Sequence, residues 1–259
     1  MKQRRNISLH PESPDAMRQS AVLEILRARI AKIEGTGARH AAIPFEVDGL
    51  DSRLPGGGIA GGALHEIAGS PDLADDASAT IFLAGILARI DGPVMWCLRW
   101  RDLFAPALHL AGLHPDRVIY VEAGSDTNVL LAMEECLRHQ GLAGVVGEVT
   151  KYSTTASKRL QLAAEASGVS AFVFRRASKR EQATDGSAAV SRWRITASPS
   201  EDLGIASLGR PRWRVDLERV RGGNPHSWIV EGCDATGRIA VPAALVDRPA
   251  AQESRQAAA

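Results

Sequence analysis

Between Gly56 and Gly69 the chain reads Gly-Gly-Gly-Ile-Ala-Gly-Gly-Ala-Leu-His-Glu-Ile-Ala-Gly, a glycine-rich lead into a short apolar strand that ends at another glycine. A strand, a glycine turn and a helix form the frame of a P-loop. There, backbone N–H groups cradle phosphates, a Lys reaches the β and γ oxygens, and a Ser or Thr holds Mg²⁺. The strand is expected over 63–67, with the turn opening at Gly69. From Ser70 to Thr80 there is no Lys, no Arg and no second glycine, and Asp72, Asp75 and Asp76 stand where phosphates would lie. Like charge repels such a ligand. Loss of one preorganised oxyanion donor alone commonly costs about 10²–10³ in rate. The segment reads as a nucleotide-binding scaffold without efficient nucleotide chemistry. No catalytic residue and no metal site is expected, nor ATP or Mg²⁺ as cofactor; Gly69, Thr80 and Glu148 are the remnant of the nucleotide site.

A chain of 259 residues suits one large α/β domain with appendages. Its formal net charge of +1 does not announce a nucleic-acid binder, so any DNA contact has to come from local charge. Cys97, Cys136 and Cys233 are odd in number and far apart in sequence, which indicates neither a disulfide framework nor a zinc site. No apolar run approaches the ~20 residues that span a bilayer, and a cytoplasmic protein without membrane contact is expected.

Ser13-Pro14 reads as a helix start, and Val22, Ile25, Leu26, Ile30 and Ile33 recur at helical spacing. Residues 1–40 are therefore expected to form an amphipathic arm, whose stripe either packs on its own core or docks a partner. Over 41–246 strands and helices alternate. Strands are expected at 63–67, 94–98, 118–121, 144–149 and 171–174, and helices near 78–90, 103–111, 127–139 and 154–167. This pattern implies an α/β fold with a mostly parallel sheet flanked by helices. Later strands at 192–195, 213–220 and 227–231 have no helices between them and are expected to extend the sheet as antiparallel additions. Residues 247–259 lack a core-forming pattern and read as a disordered tail.

Gly49-Leu50-Asp51, the turn from Leu54 to Gly62, and His65-Glu66-Ile67 resemble the start of the RecA-like ATPase core. Further segments are similar to one branch of it, the ImuA family of inducible mutagenesis. They are Cys97-Leu98-Arg99-Trp100-Arg101-Asp102-Leu103-Phe104-Ala105-Pro106, Ala143 to Val149, Ser157 to Glu165, Arg212-Trp213-Arg214 and Arg221-Gly222-Gly223. The likeness runs from about residue 18 to 246. It implies a RecA-like P-loop-type core with C-terminal antiparallel strands, and a non-catalytic adaptor role in damage-induced translesion synthesis. The implied partners are an ImuB-type Y-family polymerase homologue and an error-prone C-family DNA polymerase, with RecA and single-stranded DNA as further ones. It also places Glu148 at the Mg²⁺-binding acid and Arg99 to Asp102 in the neighbourhood of the catalytic Glu, where arginines stand instead.

From Arg175 to Arg221 eleven Lys/Arg face six Asp/Glu, a local excess of +5. Arg175, Arg176, Lys179, Arg180, Arg192 and Arg194 are the candidate DNA contacts, and the stripe from Val22 to Ile33 is the candidate partner contact. In Arg192-Trp193-Arg194 and Arg212-Trp213-Arg214 strand alternation sets the arginines on one face and the indole on the other. Core packing of the indoles is favoured over base stacking. A weak or partner-completed ATPase and a DNA-binding modulator of RecA filaments are the alternatives to the adaptor.

Overall fold

The computed structural model describes residues 40–176, 186–200 and 210–242. The expected N-terminal stripe, the loop residues Lys179 and Arg180, and the expected tail lie outside the described residues. The elements in chain order are α1 (Asp48–Asp51), β1 (Leu64–Ala68), α2 (Leu73–Ala88), β2 (Val94–Leu98), α3 (Ala105–Leu110), β3 (Val118–Glu122), α4 (Asp126–Cys136), β4 (Gly144–Val149), α5 (Thr154–Ser167), β5 (Ala171–Arg175), β6 (Ser191–Ser198), β7 (Arg212–Val220) and β8 (His226–Glu231).

All eight strands form one sheet in the order β3-β2-β4-β5-β1-β6-β7-β8. From β3 across to β6 every neighbouring pair is parallel, and β7 and β8 then add antiparallel. One expectation is corrected here. β6 is not an antiparallel addition but runs parallel beside β1, with Glu66 opposite Arg192 and Ile67 opposite Trp193.

Side-chain alternation splits the apolar residues between the two faces of the sheet. On one face Trp96, Val146, Phe172, Phe174, Trp193, Trp213 and Val215 pack with Phe82, Leu83 and Ile86 of α2. Phe45 stacks on Phe82 at 5.7 Å between ring centroids and meets Trp193 at 5.8 Å. On the other face Cys97, Val145, Ala171 and Val173 pack with Val129 and Met133 of α4 and Leu160 and Ala164 of α5. Trp193 and Trp213 are buried, so both indoles belong to the core, as the alternation suggested.

α2 is buried from Ser78 to Leu87 except at the half-buried Ile81, because it is covered on its outer side as well as by the sheet. A Cβ on Gly85 would strike Cys233, and the Phe45 ring closes a further side. A helix enclosed all round has no reason to be amphipathic. Its last turn carries no basic residue, and Arg117 supplies the charge from outside by donating to the carbonyls of Leu87, Ala88, Ile90 and Gly92. Among the described residues no helix is long and apolar enough to cross a membrane.

Candidate functional site

In an open α/β sheet ligands bind beyond the carboxyl ends of the parallel strands. Here that edge is formed by the turn after β1, the loop after β2, the end of β4 and the residue following β5. β1 ends at Ala68 and α2 begins at Leu73, so the turn is only Gly69–Asp72. The helix starts five residues before the expected Ser78. The aspartates are therefore not a loop laid along phosphates; they are the cap and first turn of α2.

Three amides of the turn and the helix start are paired within the chain. Ala74 N–H donates to Asp72 Oδ1 at 2.8 Å, Asp72 N–H to Ser70 Oγ at 3.1 Å, and Asp76 N–H to the Asp72 carbonyl at 3.1 Å. Asp72 and Ser70 thus do for the backbone what a phosphate does in a P-loop. The carboxylate of Asp75 accepts from Ser70 Oγ and, at 2.6 Å, from Ala197 N–H, while Arg194 donates to the Gly69 carbonyl at 3.2 Å. Gly69 is required by close packing. A Cβ there would lie 2.7 Å from the backbone of Asp75 and Asp76.

A side chain of the protein itself gathers the carboxylates at this edge. Arg176, the first residue after β5, donates from Nη1 to Asp76 Oδ2 at 2.8 Å and from Nη2 to Asp102 Oδ2, and its Nε lies 3.4 Å from Glu148 Oε2. That last separation is an ion-pair distance without hydrogen-bond geometry, and Glu148 Oε2 has no hydrogen-bond partner. Glu148 Oε1 accepts from Trp96 Nε1 at 2.8 Å. The carboxyl is 1% exposed, and burial raises its pKa to about 7 against the opposing pull of Arg176 and Trp96, with Asp102 and Asp76 adding to the rise. Burial also raises Asp76, offset in part by Arg176. One guanidinium is shared among three carboxylates, and a proton on Glu148 near neutrality relieves the excess.

The residues at this edge are committed to one another. The turn is short, the amides of Asp72, Ala74 and Asp76 are paired within the chain, and Arg176 stands among Asp76, Asp102 and Glu148. Among the described residues no group of His, Cys, Asp or Glu is arranged to hold a metal ion. Of the expected remnant, Gly69 and Glu148 do border the cluster. Thr80 lies one helical turn beyond Asp76 on α2, and its hydroxyl donates to the Asp76 carbonyl at 2.9 Å. The loop expected near a catalytic Glu is likewise committed. Arg99 pairs with Asp126 at 2.8 Å and lies over the Trp100 ring at 4.2 Å, and Asp102 answers Arg176.

Most of the candidate DNA contacts that are described turn inward or meet carboxylates. Arg176 is 16% exposed in the cluster above. Arg192 Nε donates to Glu66 Oε2 at 2.6 Å, and the same carboxylate accepts from Tyr152. Burial pushes Glu66 upward, yet hydrogen bonds from Ser187, Tyr152 and Arg192 outweigh it and hold the carboxyl below its ordinary range. Arg194 pairs with Glu218 at 2.6 Å. Arg175 is half-buried, and its Nε is a buried donor with no partner. The local excess of basic residues is therefore not a free cationic surface at these positions. The sequence could not reveal this, because the partners lie up to 126 residues away. His65 is structural as well: Nδ1 meets Ser191 Oγ at 2.7 Å, Nε2 meets the Ala60 carbonyl at 2.8 Å, and burial lowers its pKa to about 4.

No protein-family model matches the sequence. It is, however, 38% identical over 217 residues to Protein ImuA of Caulobacter vibrioides, in each of two strains, across 78% of this chain and 87% of that relative. The chain belongs to the ImuA family. Its fold is similar to the crystal structure of the RadB recombinase, with a TM-score of 0.57 at 16% identity, covering 78% of this chain and all of that one. An ImuA-family chain is thus built on a RecA-like fold, and here an ion cluster centred on Arg176 lies at the carboxyl edge of its parallel strands.

Proposed function

We propose that this ImuA-family chain is a non-catalytic adaptor in damage-induced mutagenic translesion synthesis. In that reading it binds an ImuB-type Y-family polymerase homologue, and through it an error-prone C-family polymerase. The reading is supported above all by the Arg176 cluster. The carboxylate at the Mg²⁺-binding position, Glu148, is paired within the fold together with Asp76 and Asp102, at the place where a working ATPase brings nucleotide and metal. A RecA-like core closed in this way keeps its surfaces and loses its chemistry. Folds retained without chemistry serve through what they bind.

The test is co-expression with the polymerase homologue, followed by size-exclusion chromatography with light scattering in about 0.3 M salt, where the Debye length is ~6 Å and contacts made by charge alone weaken. A stable complex without added nucleotide is the expected result. Two separate species without nucleotide that join on adding ATP and Mg²⁺ would overturn the reading in favour of a nucleotide-gated protein.

A further inference from the structure

The mouth of the closed cleft is not an inert surface. Leu73, the first residue of α2, is 83% exposed; Trp100 and Phe104, in the loop after β2, are 45% and 68% exposed. The ion cluster ties these side chains into one neighbourhood. Asp76 lies three residues after Leu73 on the same side of α2, Asp102 lies between Trp100 and Phe104, and Arg176 bridges the two aspartates. The Trp100 ring is pre-set, since Arg99 lies over it while pinned by Asp126 and Thr150. A rigid indole is a better anchor than a mobile one, because binding does not have to order it.

Among the described residues acids outnumber bases at this mouth. Asp72, Asp75, Asp76 and Asp102 gather there above the buried, partly protonated Glu148; Arg176 is the cation they enclose, and Arg194, paired with Glu218, reaches the Gly69 carbonyl. The neighbouring Arg99 and Arg101 are matched by Asp126 and Glu122. Such a field repels phosphate, whether of a nucleotide or of DNA, and attracts a cation. An apolar rim beside it asks for apolar side chains on either side of that cation.

We infer that the rim formed by Leu73, Trp100 and Phe104 around Asp102 is a docking site for a protein segment that presents a Lys or Arg flanked by apolar residues. The inference rests on the adaptor reading and names the surface and the partner chemistry for it. The basic side chain reaches Asp102 at the edge of the cluster, and its apolar neighbours cover Trp100 and Phe104. Arg176 stays in place beneath them.

The experiment pans a displayed random 12-residue peptide library on the full chain and on the double variant Trp100→Ser/Phe104→Ser. The enriched peptides are then measured by fluorescence anisotropy. The expected result is enrichment of peptides with Lys or Arg beside Leu, Ile or Phe. Their affinity falls at least tenfold in the double variant and about fivefold in Asp102→Asn, and it weakens with salt. Leu73→Ser, at a nearly fully exposed position, gives a second reading should the double variant fail to fold by circular dichroism. Acidic enriched peptides, no enrichment, or equal binding by the rim variants would overturn the proposal. So would displacement of the peptides by ATP or oligo-dT, or a self-association of the chain that the rim variants abolish. The outcomes separate from those of the adaptor test. A polymerase-homologue complex that forms equally well with the rim variants leaves the adaptor standing and removes this surface from it. Peptide binding at the rim without any such complex does the reverse.

Discussion

Arg176 is the residue on which the cleft depends. Removing it leaves Asp76, Asp102 and the buried Glu148 facing one another without a cation, and breaking a buried pair commonly costs about 3–5 kcal/mol. Arg176 and Asp76 keep some solvent contact, so Arg176→Ala is expected to lose about 2–3 kcal/mol, read from urea unfolding midpoints. Glu148 gives a pH signature. Its pKa rises from the ordinary 4.5 to about 7 on folding, so the folded protein holds this proton more tightly than the unfolded chain. The associated stability is complete below about pH 4.5 and is lost as pH rises through 7. Glu148→Gln, which cannot ionise, should therefore gain on the wild type by on the order of 3 kcal/mol between pH 4.5 and pH 8. His65 has the opposite sign: its pKa is depressed to about 4, and its contribution is lost as pH falls below 6.5. It is present in both proteins and cancels from the comparison. A difference that does not change with pH would show that Glu148 ionises normally in the fold.

At the level of elements, the start of α2 is held by its own side chains. Asp72→Ala removes the cap on Ala74 N–H and should cost about 1 kcal/mol, a fall in Tm of about 2–4 °C for a domain of this size. Trp193, enclosed by Phe45, Phe82 and Trp228, tests the core against a base-stacking role. Trp193→Ala should cost about 3–5 kcal/mol in denaturant unfolding and leave any single-strand binding by the folded fraction unchanged. These elements also mark how far the sequence could be read. Val94–Leu98, Gly144–Val149 and Thr154–Ser167 have the expected bounds, because apolar runs and the cap at Ser153 are local signals. The start of α2 was not legible in the same way: Asp72, Asp75 and Asp76 suit both a loop beside a cleft and a helix N-terminus, and only the chain's path decides. The parallel course of β6 was hidden for a related reason. Strand direction is set by the partner, and β6 pairs with β1 across more than a hundred residues. The cluster itself was half legible. Glu148 and the missing Lys were visible, but Arg176 reads as one more residue of a basic stretch until the fold brings three carboxylates to it.

The described residues form a single mixed sheet with helices on both faces, and the carboxyl edge of its parallel strands carries the Arg176 cluster. Thermal unfolding with and without 5 mM ATP and Mg²⁺, in roughly thousandfold excess over a micromolar site, would raise stability by about 4 kcal/mol if the nucleotide bound. No shift in Tm is the expected outcome, and a rise would show that Arg176 yields its place. The position of that arginine reaches beyond the cleft. A diffusible ligand occupies its site in proportion to its supply, whereas a side chain is always present at the effective concentration its own backbone sets. On the adaptor reading we propose, the shape of this edge is thus uncoupled from the energy charge of the cell, the same in a starved or damaged cell as in a growing one.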